Sequence, residues 1–218
     1  RRFGSRVTIL QHGPRLLGRE DADVAEAVRD ILAGEGIDII PGAGGFAFAP
    51  SPTGVAITFT ASGATQGLSA SHVLVATGRQ PNTEDLGLEA AGIAVDDHGY
   101  IVVDEELRTS AEGVWAMGDV NGHGGFTHTS YNDHEIVAAN LLEGGGRRMH
   151  DRIPAHNLYI DPPLGRVGMS ETEVREKGIA ALMGTLPMSR VGRAQEKGET
   201  QGFIKVLVDP RSELILGA

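Results

Sequence analysis

The 218-residue sequence contains no cysteine. That excludes a disulfide framework, a thiolate-ligated metal and any dithiol redox centre built from these residues alone. Aromatic residues are scarce, at 5%, and no apolar run approaches the ~18 residues that a membrane-spanning helix needs. Positive charge is in the minority: Lys+Arg 19 against Asp+Glu 29 leaves a net charge of −10. A chain of this charge has no general attraction to phosphate backbones or anionic lipid, so neither nucleic acid nor membrane is an expected partner. The opening RRFGSRVTIL has no initiator methionine and lacks the parts of a signal peptide, consistent with a cytoplasmic protein. The chain closes on the apolar run ELILGA, and both ends read as cut.

Glycine is plentiful. Its 31 copies are about twice the usual share of ~7%, which points to tight turns and places of close backbone approach. Val7 to Leu10 (VTIL) reads as a buried strand of parallel type. Val24, Ala27, Val28, Ile31 and Leu32 share one helical face, with Asp21 or Asp23 as cap and Gly34 or Gly36 as stop. A strand at Ile37 to Ile40 completes a β-α-β unit. Residues 41–75 read as a β-meander with turns at Pro50 to Gly54 and at SGATQG. His72 to Ala76 (HVLVA) reads as a strand buried on both faces. Ile101 to Val103 and Val114 to Met117 read as further strands, followed by a helix of roughly Ser130 to Leu142. Beyond residue 151 the pattern becomes α+β: a helix SETEVREKG in which Ser170 and Glu173 have capping-box spacing, and strands at 181–188, 203–208 and 214–216.

Several local patterns carry possible chemistry. GAGGFA (42–47) fits G-x-G-x-x-A after a strand, but FAFA and two prolines follow it, so no helix can open there to meet a pyrophosphate, and it is rejected as a dinucleotide loop. In VATGR, Gly78 lets a flat ring or ribose lie against backbone and Arg79 supplies a fixed positive charge; an ordinary strand end with an exposed arginine reads equally well. In WAMGD, Asp119 at a strand's carboxyl end can accept hydrogen bonds from ligand hydroxyls, and Gly118 leaves room beside it. The helix start near Thr127 offers amides and a positive dipole end to an electron-rich ring. Loop and helix capping by the same residues remains an alternative. His123, His128 and His134, with Asp133 nearby, lack the spacing of a metal site, since 128 and 134 point in different directions on a helix. Glu20, Asp21, Asp23 and Glu26 read as a helix start and solvated face. No G-x-S-x-G elbow occurs.

Taken in order, the segments RVTIL, LVATGRQPNTEDLGLEAAGI, GYIVVDEELRTSAEGVWAMGDV, FTHTSYNDHEIVAANLL, IDPPLGRVGMSETEVREKG and ETQGFIKVLVDPRSELILGA resemble the flavin-dependent pyridine nucleotide-disulfide oxidoreductases. This group includes glutathione reductase, dihydrolipoamide dehydrogenase and mercuric reductase, and the mercuric-reductase-like branch is the nearest in flavour. The resemblance covers nearly the whole chain. It implies an α/β fold of partial Rossmann-like FAD- and NAD(P)-binding domains plus the start of an α+β dimerisation domain. Residues 1–79 would be the remainder of the NAD(P)-binding domain, 80–149 the returning segment of the FAD domain, and 150–218 the first part of the interface domain. It further implies FAD and NAD(P)H as cofactors, a homodimer, and hydride transfer to FAD and onward to a disulfide, metal ion or related small-molecule acceptor.

By resemblance, Asp119 with Gly118 meets the flavin ribityl chain, and Thr127 with His128 meets the pyrimidine edge. Gly78 and Arg79 lie at the nicotinamide nucleotide and Gln11 at the adenosine ribose. Gln11 leaves NAD against NADP open, while Arg15 or Arg19 would meet a 2′-phosphate and so lean the reading to NADP. The family's glycine loops, its C-x-x-x-x-C pair and its C-terminal His-Glu segment have no counterpart in the sequence, so no catalytic residue is assigned. The chain by itself is expected to bind little flavin and to leave NAD(P)H unoxidised. A truncated, non-catalytic nucleotide-binding or dimerisation module is the alternative.

Overall fold

The computed structural model describes residues 1–218, which fall into two units: residues 1–75 with 154–218, and residues 76–153. In the first unit, VTIL and IDII become β1 (Thr8–Gln11) and β2 (Asp38–Pro41), joined by α1 (Ala22–Gly34). The strands pair in parallel, Ile9 opposite Ile39 and Leu10 opposite Ile40, as the helix between them requires. α1 buries Ala25, Val28 and Ile31 along one face.

Three antiparallel strands follow, β3 (Gly44–Ser51), β4 (Gly54–Ala61) and β5 (Ala64–Ala70), with β4 in the middle. Ile57, Phe59 and Ala61 alternate inward from β4, and with Ala43 they form a core against which Leu10 and Ile40 of the parallel pair are packed. GAGGFA runs straight into β3, with no helix behind it. The SGATQG segment departs from expectation. Only Ser62 and Gly63 turn, and ATQG belongs to β5, where Gln66 pairs with Phe59 and Gly67 with Thr58. Two turn-forming residues suffice for a hairpin.

Residues 154–218 add β6 (Ala155–Leu158), β7 (Leu164–Val167), α3 (Glu171–Glu176), β8 (Leu182–Pro187), α4 (Gly192–Lys197), β9 (Phe203–Val208) and β10 (Ile215–Gly217). β8, β9 and β10 form an antiparallel sheet with β9 central. The capping box is realised: Glu173 N–H donates to Ser170 Oγ at 3.1 Å, and Ser170 N–H donates to Glu173 Oε2 at 2.7 Å. Ser170 is buried, so water cannot replace its hydroxyl. We expect Ser170→Ala to cost about 0.5–2 kcal/mol, seen as a lower urea midpoint at unchanged slope.

The acidic cluster also departs from expectation. Glu20 and Asp21 are buried, at 8% and 6% exposure, because their partners come from the far end of the sequence. Glu20 meets His156 Nε2 at 2.9 Å and Arg166 Nη1 at 3.4 Å. Asp21 stands at the N-cap position of α1 without capping it. It accepts instead from Glu171 N–H and Thr172 N–H, both at 3.0 Å, and from the Thr172 hydroxyl at 2.7 Å, so it caps α3. Lys205 Nζ lies 2.9 Å from Asp21, 2.8 Å from Asp23 and 3.2 Å from Glu171.

The second unit contains no strand ladder. Ile101 and Trp115 form only single bridges, to Val95 and Arg108, where strands at 101–103 and 114–117 were expected. HVLVA is likewise not a strand, and Leu74 and Val75 are 89% and 71% exposed. A strand needs a hydrogen-bonded ladder with a neighbour as well as a suitable sequence, and these segments find isolated bridges at most. The unit's core is built on α2 (Thr127–Leu142), whose Ile136 and Val137 pack on Leu107, with Val103, Trp115 and Met149 around them. α2 begins three residues earlier than its apolar periodicity suggests. No helix is long and apolar enough to cross a membrane.

Candidate functional site

The second unit gathers six of the seven residues singled out from sequence. Gly118 and Asp119 open a 3-10 turn, Gly118–Asn121, that follows the Trp115 segment. Gly118 has φ of +77°, a conformation that a Cβ disfavours, and a Cβ there would come 2.9 Å from Ser130 Oγ. Glycine thus lets the turn lie against the first turns of α2.

α2 starts at Thr127 with Phe126 as N-cap, no side-chain cap and no acid in its first turn. Its positive dipole end is therefore not offset by a carboxylate of its own first turn. His128 stacks on Phe126 with ring centroids 5.2 Å apart. Asp119 is half exposed, and its carboxylate pairs with Arg79 at 3.3 Å, the arginine being 75% exposed. Such an exposed pair is worth about 0–1 kcal/mol, so a ligand hydroxyl can displace it at little cost. Gly78 precedes it with φ of +133° and open space where a Cβ would stand.

Gln11 belongs to the other unit. It closes β1 opposite Pro41, and its carbonyl accepts from Ala43 N–H at 2.9 Å. Nearby, Arg15 donates to the carbonyls of Gly18 and Glu20, and both Arg15 and Arg19 are exposed.

Three residues of the second unit were not assigned a site role from sequence. Asp133, fully buried on α2, accepts from Gly118 N–H at 2.8 Å and from Asn121 Nδ2 at 2.9 Å, and it forms an ion pair with Arg152. Asn121 is itself buried and also donates to Ala116 O at 3.2 Å. The available sequence signal was a carboxylate one turn before the apolar pair Ile136–Val137, on the face that must be buried.

The arrangement fits a flavin by its chemistry. A half-exposed carboxylate suits polyol hydroxyls, and a helix start with no acid in its first turn suits the electron-rich pyrimidine edge.

Comparison with known proteins shows the family. Residues 1–135 match the family described as pyridine nucleotide-disulphide oxidoreductase, and residues 154–218 match that family's dimerisation domain. The chain is 40% identical over 218 residues to the probable pyridine nucleotide-disulfide oxidoreductase RclA of Escherichia coli, covering 99% of this chain and 48% of the relative. It is 33% identical over 217 residues to a mercuric reductase of Streptomyces lividans, covering 100% of this chain and 46% of that one.

Among solved structures, the HOCl-induced flavoprotein disulfide reductase RclA from Escherichia coli superposes with a TM-score of 0.87 at 38% identity, covering 99% of this chain and 49% of that one. LpdA from Mycobacterium tuberculosis superposes with a TM-score of 0.88 at 28% identity, covering 99% and 46%. The chain thus spans about half the length of the relatives it matches. The matched order of a nucleotide-binding region followed by a dimerisation region fits the partial Rossmann-like pair β1–α1–β2 and the antiparallel sheet β8–β10, and the chain belongs to the pyridine nucleotide-disulphide oxidoreductase family.

Proposed function

We propose that this chain serves within an FAD-dependent NAD(P)H oxidoreductase, a cytoplasmic homodimer that passes electrons to a disulfide, a metal ion or a related small acceptor. Residues 1–79 contribute to the nucleotide domain, 80–149 to the flavin domain and 150–218 to the subunit interface. The observation that carries the reading is the placement of Asp119. Its half-exposed carboxylate sits on a glycine-opened turn packed against the start of α2.

When bound, FAD supplies a ring that takes up hydride and releases electrons singly or in pairs. This chain's residues would do the holding. Asp119 accepts hydrogen bonds from the ribityl hydroxyls once Arg79 swings aside, and Gly118 keeps the backbone close. The α2 start at Thr127 and His128 favours negative charge at the pyrimidine edge by ~0.3–2 kcal/mol. Gly78 and Arg79 meet the nicotinamide nucleotide, and Gln11 meets the adenosine ribose. Arg15 and Arg19, both exposed, are the cations offered to a 2′-phosphate, which favours NADPH over NADH.

In the full-length protein that this reading requires, Asp119→Ala is expected to weaken flavin binding by ~1.5–3 kcal/mol, or roughly 10- to 150-fold. Titration of the apoprotein with FAD measures it, and an unchanged dissociation constant overturns the reading.

A further inference from the structure

We propose that Asp133 is a positioning residue for the flavin, acting through the turn that carries Asp119; this rests on the functional reading above. The carboxylate is fully buried, and one of its oxygens, Oδ2, accepts from both ends of the turn, from Gly118 N–H at 2.8 Å and Asn121 Nδ2 at 2.9 Å. Its other oxygen, Oδ1, meets the Arg152 guanidinium. Arg152 is itself oriented by Asn132, whose Oδ1 accepts from Arg152 Nε at 2.8 Å. Around the turn, Val120 O accepts from Ile101 N–H at 3.0 Å, and Asn121 Oδ1 accepts from His123 N–H at 3.0 Å.

Asp119 is the member of the Gly118–Asn121 turn whose carboxylate faces outward, while the residue before it and the residue two beyond it are tied to one buried carboxylate. Asp133 projects from the second turn of the same helix whose first turn would meet the flavin ring. It therefore couples two contacts, the ribityl acceptor and the helix start, in one rigid piece. Both bonds to Oδ2 come from the turn that carries Asp119. Preorganisation of this kind raises affinity by lowering the ordering cost on binding.

The test is a double-mutant cycle on the FAD dissociation constant of the full-length protein, with each variant's apoprotein first checked as folded. Asp133→Asn, which keeps one oxygen for Gly118 and Asn121, is expected to weaken binding several-fold, and Asp133→Leu, which keeps none, by at least about thirtyfold. In the Asp119→Ala background, Asp133→Asn is expected to change affinity less than about twofold, since the residue it positions is gone. If Asp133→Leu does not fold, Asn121→Ala, which removes the amide bonded to Asp133, Ala116 O and His123 N–H, takes its place, with an expected loss of about fivefold. Additive effects in the cycle, or unchanged affinity in both Asp133→Asn and Asn121→Ala while Asp119→Ala weakens binding, overturn the positioning role. Unchanged affinity in Asp119→Ala overturns the functional reading, and the positioning role falls with it.

Discussion

Lys205→Ala is expected to destabilise the first unit by about 3–5 kcal/mol at neutral pH, because the buried Asp21 carboxylate loses its cation. Lys205 is 9% exposed and lies within 3.2 Å of carboxylates from Asp21, Asp23 and Glu171, whose oxygens are within 4.8 Å of one another. Burial pulls the Lys205 ammonium downward, but its bonds to Asp23, Asp21 and Glu171 outweigh burial and raise its pKa. The Asp21 carboxyl shows the opposite result. Burial pushes it up, yet Lys205, the Thr172 hydroxyl and the N–H groups of Thr172 and Glu171 hold it far below the usual carboxylate range.

The sign of the pH dependence follows. With its folded pKa below the unfolded value of ~3.9, Asp21 contributes fully at neutral pH, and the contribution is lost as pH falls below about 4. In Lys205→Ala the three carboxylates repel one another and protonate more readily, so the variant's deficit should shrink as pH is lowered from 7 to 5. Urea unfolding followed by far-UV circular dichroism at the two pH values reads this. An equal deficit at both would mean that Lys205 acts through its packed methylenes.

Arg152→Met is expected to cost the second unit about 3–5 kcal/mol, because Asp133, with no exposure at all, loses its counter-ion and keeps only two neutral donors. The sequence has a single tryptophan, and Trp115 packs on the Leu107, Ile136 and Val137 core. Its fluorescence therefore reports on this unit. Adding Asp133→Leu to Arg152→Met should recover part of the lost stability, since no charge remains buried, although Gly118 N–H loses its partner and Asn121 Nδ2 keeps only Ala116 O. A double variant no more stable than Arg152→Met would show that the neutral hydrogen bonds, and not the charge, dominate.

The parts of the fold legible in the sequence are those decided locally. The apolar face of α1, the alternation of β4, the run Phe203 to Val208 and the Ser170–Glu173 box each contain their own instruction within a few residues. HVLVA and VWAM read as buried strands because their composition is that of buried strands, but whether such a run enters a ladder depends on a neighbour that composition does not specify. Glu20 and Asp21 looked solvated for a similar reason. Their burial depends on His156, 136 positions away, and on Thr172, 151 positions away. Asp119 stood out because it follows a glycine at the end of an apolar run, whereas Asp133 did not, since nothing in its own helix reveals that Arg152 and Asn121 converge on it.

The first unit is assembled from two stretches of chain with residues 76–153 between them. During synthesis, Glu20 and Asp21 leave the ribosome long before His156, Arg166, Thr172 and Lys205 exist. At translation speeds of ~5–20 residues per second the interval is on the order of ten seconds. For that time the β1–α1–β2 segment must keep two carboxylates hydrated that the finished protein encloses. The enclosure of these two charges is thus among the last events in the making of the unit, since the cations that neutralise them are translated after residue 153.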